Sequence, residues 1–86
     1  GHIDFLKCDC EGGEWAILPE ECAGIRELRF EFHFRRKYYK QDKAAYLKWL
    51  KWFSTNHYTV TVEKSALSST VDFKEMLNLS ASKSKR

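Results

Sequence analysis

The stretch Ile25–Phe34 constrains the fold more than any other part of the chain. Leu28, Phe30, Phe32 and Phe34 alternate with Arg29, Glu31 and His33. Side chains of an extended strand point to opposite faces in turn, so this pattern predicts a strand with one apolar and one polar face. Large apolar groups on one face require a layer of helix laid over them.

The rest of the chain supplies that layer. Asp42 to about Asn56 carries Tyr46, Trp49, Leu50 and Phe53 at i, i+3, i+4 and i+7, one apolar stripe of a helix that Asp42 is placed to cap. Trp52 falls off the stripe and is expected to face a partner or to cover the sheet margin. His57 is expected to meet the last carbonyls of the helix. Residues 3–10 read as a strand broken by Glu11-Gly12-Gly13, and Glu14–Leu18 as a short helix limited by Pro19. Tyr58–Glu63 alternates as a strand, Lys64–Thr70 is a serine-rich loop, and Val71–Leu79 is a last strand whose period Met76 interrupts. Strand–helix–strand order implies parallel pairing, and the final two strands, joined without a helix, form an antiparallel hairpin. The prediction is an α/β fold: a mixed sheet of about four strands, the last antiparallel, with two helices. Residues 1–80 form one domain, and 81–86 a frayed basic tail.

A chain of 86 residues allows one domain with a small core, and 15% aromatic residues supply it with large contact areas. The net charge of +3 gathers partly in Lys83, Lys85 and Arg86, without the basic stripe of a nucleic-acid binder. No apolar run approaches the roughly 20 residues of a membrane span. Three cysteines, Cys8, Cys10 and Cys22, make no disulfide framework, so a reducing, cytoplasmic setting is expected.

Ligands of open parallel sheets bind beyond the carboxyl ends of the strands. If the first two strands are neighbours, Asp9, Glu11, Glu31 and His33 gather there. Carboxylates grouped beside a histidine can act as acid, base or metal ligands. The same groups can also be merely solvated, or satisfied by ion pairs such as Lys7–Glu31 or Arg29–Glu11. Cys8-x-Cys10 lacks further soft ligands nearby for zinc, and buried cysteine acting as a small apolar residue explains it better. No metal site is expected.

The segment IDFLKCDCEGGEWAIL resembles the FkbM family of S-adenosylmethionine-dependent methyltransferases. Asp4, Lys7, Asp9, Glu11, Gly12 and Glu14 match the family's strand motif position by position, with Cys8, Cys10 and Gly13 as mild departures. The stretch IRELRFEFH resembles the family's next strand. The resemblance implies a partial class I methyltransferase sheet, Rossmann-like, to which this chain contributes strands four to seven, the seventh reversed and inserted between the fifth and sixth. It implies S-adenosylmethionine as cofactor, with Asp9 and Gly12 near it. It also implies a catalytic group of Asp9, Glu11, Glu31 and His33, and O-methyl transfer to a hydroxyl of a sugar or natural product, with Asp9 or His33 as base.

The glycine-rich turn on which such a cofactor rests does not precede Ile3, and Gly12-Gly13 belongs to the strand-four motif. The chain is therefore expected to be the C-terminal half of such a domain, to bind the cofactor poorly and to be inactive alone. A missing N-terminal half is a possible partner. The open edge of the first strand is expected to drive homo-oligomer formation. The alternative is a non-catalytic binding or self-assembling module using that edge.

Overall fold

The computed structural model describes residues 5–8, 13–65 and 71–84. Four strands form one sheet: β1 (Phe5–Cys8), β2 (Glu27–Arg35), β3 (Tyr58–Ser65) and β4 (Phe73–Lys83). Their order is β1-β2-β4-β3. β1 runs parallel to β2, with Leu6 opposite Leu28 and Cys8 opposite Phe30. β4 runs antiparallel to both β2 and β3. Three strands thus point one way, and the reversed last strand sits between the second and third, as the resemblance implies.

One α-helix, α1 (Tyr39–Thr55), covers one face of the sheet. Its buried side is Asp42, Tyr46, Trp49 and Phe53, which extends the expected stripe by one turn. This side meets the apolar face of β2: Phe30 lies 4.8 Å from Trp49, and Phe32 and Phe34 lie 5.4 and 5.5 Å from Tyr46. Leu28, Phe32, Phe34 and Phe53 are fully buried. Trp52 is half-buried and stacks on Tyr58 of β3 at 5.4 Å, so it covers the sheet margin. The Tyr58 hydroxyl donates to the Ile25 carbonyl, tying β3 to the turn that leads into β2.

Several local expectations are corrected. The short helix expected at Glu14–Leu18 is a single 3-10 turn, Gly13–Ala16, and Pro19 opens a second, Pro19–Cys22. The interval between the glycine pair and Pro19 is too short to offset the cost of helix nucleation. Asp42 does not cap α1, which begins three residues earlier at Tyr39. Its carboxylate instead accepts from the Arg35 backbone N–H at 2.9 Å, from Arg35 Nε at 3.0 Å and from the Arg35 guanidinium terminus at 2.6 Å. This clamp holds the end of β2, where the register slips by a bulge at Phe34/Arg35, against the helix. His57 acts through its backbone. It takes φ 64, the left-handed residue that ends the helix, and its N–H bonds to the Ser54 carbonyl at 3.3 Å. β4 runs to Lys83, past the point at Ser80 where fraying is expected, because Ala81 is buried between Leu28 and Val60.

Candidate functional site at the carboxyl ends of the parallel strands

The sheet face away from α1 is polar. Arg29, Glu31 and His33 of β2 stand on it, opposite Ser80, Asn78 and Met76 of β4. Thr61 and Glu63 of β3 lie beyond, opposite the same Ser80 and Asn78. On the other side Lys7 of β1 pairs with Arg29. Lys7, Arg29, Glu31, Glu63, Asn78 and Ser80 line a shallow concavity of about 320 Å³. Its walls carry both charge signs and an amide, so it suits a polar ligand rather than an apolar one.

The structure brings Glu31 and His33 together. His33 Nε2 lies 3.7 Å from Glu31 Oε1, with 6% of the His33 side chain and 27% of the Glu31 side chain exposed. That distance is within ion-pair range and too long for a hydrogen bond. The imidazole is packed 5.1 Å from the ring of Phe73 at the start of β4. Asp9, Glu11 and Gly12, the other predicted site residues, lie outside the described residues, as does Cys10. Cys8 and Cys22 are buried free thiols. Burial, with a smaller contribution from the Glu21 carboxylate, pushes the Cys22 thiol above its ordinary range. Among the described residues no group of three or more histidine, cysteine, aspartate or glutamate side chains is arranged to hold a metal.

Two positioning features escape the sequence reading. Trp15 packs against Phe32 and Phe34 at 5.0 and 5.4 Å, and its indole N–H donates to the His33 carbonyl at 2.9 Å. The described pairing of β1 stops at Phe30, so this bond holds β2 farther along, where it carries His33. The Arg35–Asp42 clamp fixes the next turn of chain. An indole donor aimed at a distant carbonyl leaves no periodic signal, and Asp42 reads in the sequence as a helix cap rather than as a partner of Arg35.

The first two strands lie side by side and point the same way, so the arrangement on which the resemblance depends is present. A sequence model of the methyltransferase FkbM domain matches residues 1–84. The chain belongs to this family. No match was found among curated proteins or among solved structures.

The FkbM family implies use of S-adenosylmethionine. A nucleotide cradle requires close approach of ligand to backbone, which glycine permits. Among the described residues the glycine with positive φ is Gly24 (φ 88), and open space lies where its Cβ would stand. It precedes β2, at the end of the sheet opposite Glu31 and His33. Gly24 is therefore not placed beside the Glu31–His33 pair. Nor is any described helix long and apolar enough to cross a membrane.

Proposed function

We propose that this chain is the acceptor side of an FkbM methyl-transfer domain, acting on a hydroxyl of a sugar or natural product. The observation that carries the reading is the family match across residues 1–84, joined to parallel β1 and β2 with Glu31 and His33 on the polar face. In this reading the acceptor lies over the concavity, where Arg29, Asn78 and Ser80 offer hydrogen bonds to sugar hydroxyls. Asp9 or His33 takes the hydroxyl proton as methyl transfer proceeds, and Glu31 stabilises the charge that forms on an imidazolium 3.7 Å away. Asp9 and Glu11 follow β1 directly in sequence and complete the group. The glycine turn for S-adenosylmethionine is supplied by residues other than these 86. The chain by itself binds the cofactor weakly and transfers no methyl group. Its buried free thiols, Cys8 and Cys22, suit a reducing compartment such as the cytoplasm.

The test is transfer of a labelled methyl group to a panel of sugars. The chain alone should give none, and the chain supplied with a strand–glycine turn–helix segment of an FkbM protein should give transfer. Activity of the chain alone would overturn the division of labour, and inactivity of the completed domain toward every hydroxyl acceptor would overturn the reaction.

A second reading is favoured by the position of β1 at the margin of the described sheet. In it the chain self-associates through that edge, since a strand at the margin of a sheet is a template for pairing with another chain. Light scattering at high micromolar concentration decides: a dimer or larger species is expected, and a clean monomer rules the edge out as an assembly surface.

A further inference from the structure

A second concavity, of about 410 Å³, opens where β2 passes into α1. Arg36, Lys37, Lys40 and Lys74 line it, together with Tyr38 and Tyr39. It lies at the same end of the sheet as Glu31 and His33, since β2 finishes and β4 starts there. The chain reading RRKYYK registers in the sequence only as a charged connection. Folding adds Lys74 from β4, distant in sequence, and so turns a basic run into a basin.

Three of these cations, Lys37, Lys40 and Lys74, are not neutralised by a described carboxylate. Two nearby carboxylates are engaged elsewhere. Asp42 is held by Arg35 at 2.6 Å. Glu75 is held by Lys64 at 3.4 Å and accepts from the Tyr39 hydroxyl at 3.5 Å. Asp72 approaches through its backbone, the carbonyl accepting from the Arg36 N–H at 3.1 Å. Among the described residues no carboxylate pairs with Lys37, Lys40 or Lys74.

Two of these lysines are nevertheless held in place. Lys74 Nζ sits 4.3 Å above the Tyr39 ring, and Lys37 Nζ 5.9 Å from the Tyr38 ring. Cation–π contact orders an ammonium without cancelling its charge. Like charges gathered in one concavity repel unless an anion joins them. The first turn of α1 adds the positive end of a helix dipole, and its capping position, Tyr38, makes no side-chain cap.

We infer that this basin binds a tetrahedral oxyanion, a phosphate or sulfate group, carried by the acceptor. The inference rests on the acceptor-side reading above and narrows it: the hydroxyl to be methylated belongs to a phosphorylated or sulfated molecule. The oxyanion anchors that molecule at Lys37, Lys40 and Lys74, and the hydroxyl extends toward the Glu31–His33 pair.

The probe is inorganic phosphate, titrated into the 86-residue chain at pH 7.5 with ionic strength held constant by chloride, and followed by amide NMR. Saturable shifts are expected for residues 36–41 and Lys74, with sulfate acting alike and acetate more weakly because it carries one charge. Joint Lys40→Gln and Lys74→Gln substitution should weaken phosphate binding by at least about tenfold, as expected for loss of charge-assisted bonds, with the melting temperature unchanged. Joint Lys48→Gln and Lys51→Gln substitution, farther along α1, should leave binding as it was. Shifts that never saturate, or equal weakening by both pairs, would overturn the site. Tight binding of a single-stranded oligonucleotide in preference to phosphate would reassign the surface to nucleic acid. Methyl transfer is not read in this titration. If phosphate binds and no completed domain transfers methyl groups, the proposed reaction fails and the basin stands. If neutral sugars are methylated and phosphate does not bind, the inference alone fails.

Discussion

The two faces of the sheet are built from the same strands and do opposite work. On the helix side, β2 presents Leu28, Phe30, Phe32 and Phe34, and β4 adds Leu79 and Ala81, all buried. On the other side the same strands present Arg29, Glu31, Asn78 and Ser80 around a shallow concavity. Alternation along a strand thus separates a buried apolar face from an open polar one. The helix-covered face can hold the fold while the polar face stays free to change. His33 is the exception, since it stands on the polar face and is still buried, with Phe73 against its ring.

This separation is tested by substitutions on each face. The largest effect is expected for Phe32→Ala, which removes a ring touching Trp15, Phe30, Tyr46 and Trp49. A loss of about 3–5 kcal/mol is anticipated in urea denaturation, enough to unfold much of a small domain. On the polar face, Thr61→Ala should change stability by less than about 0.5 kcal/mol. Similar losses from both would erase the distinction. Next in size is Asp42→Asn. It takes the charge from a carboxylate that receives three bonds from Arg35, and should cost about 1.5–3 kcal/mol by the same measurement. Trp15→Phe keeps most of the packing and removes the donor to the His33 carbonyl, for about 1–2 kcal/mol.

The smallest effect is a pH dependence confined to the covered face and its margin. Burial raises the Cys22 thiol, and it raises the Tyr46 and Tyr58 phenols, with smaller contributions from Glu21, Glu75 and Cys22 respectively. Each folded group holds its proton more tightly than the unfolded chain does. Their contribution is therefore complete at neutral pH and declines as pH rises past the ordinary thiol value of 9.0 and then the phenol value of 10.0. Urea midpoints should fall from about pH 9 upward, and Cys22→Ser should move the onset toward the phenols. A flat profile to pH 10.5 would contradict the burial of these groups.

How far the sequence could be read follows the same division. The covered face was legible because large apolar residues recur at fixed periods in Leu28–Phe34 and Tyr46–Phe53. The reversed strand between its neighbours followed from element order and from the family motif. Boundaries were less legible. Asp42 has the residue type of a helix cap, and only the fold turns it toward Arg35. The period of the last strand breaks in sequence, where Met76 pairs with His33 on the polar face and the nearby bulge resets register between Phe34 and Arg35. The Glu31–His33 pair was anticipated because two residues apart on a strand share a face. The cationic basin was not, since Lys74 reaches it from another strand.

The central claim is that the polar face at the carboxyl end of β2 is a working site and not a solvated surface. The most direct measurement is kcat of a completed domain carrying Glu31→Gln, set beside Ser82→Ala on the same face at the other end of the sheet. The account predicts a drop of at least about tenfold for Glu31→Gln, with the melting temperature held and Ser82→Ala unaffected. An unchanged kcat for Glu31→Gln would show that the carboxylate is merely solvated, and the proposed site would be wrong.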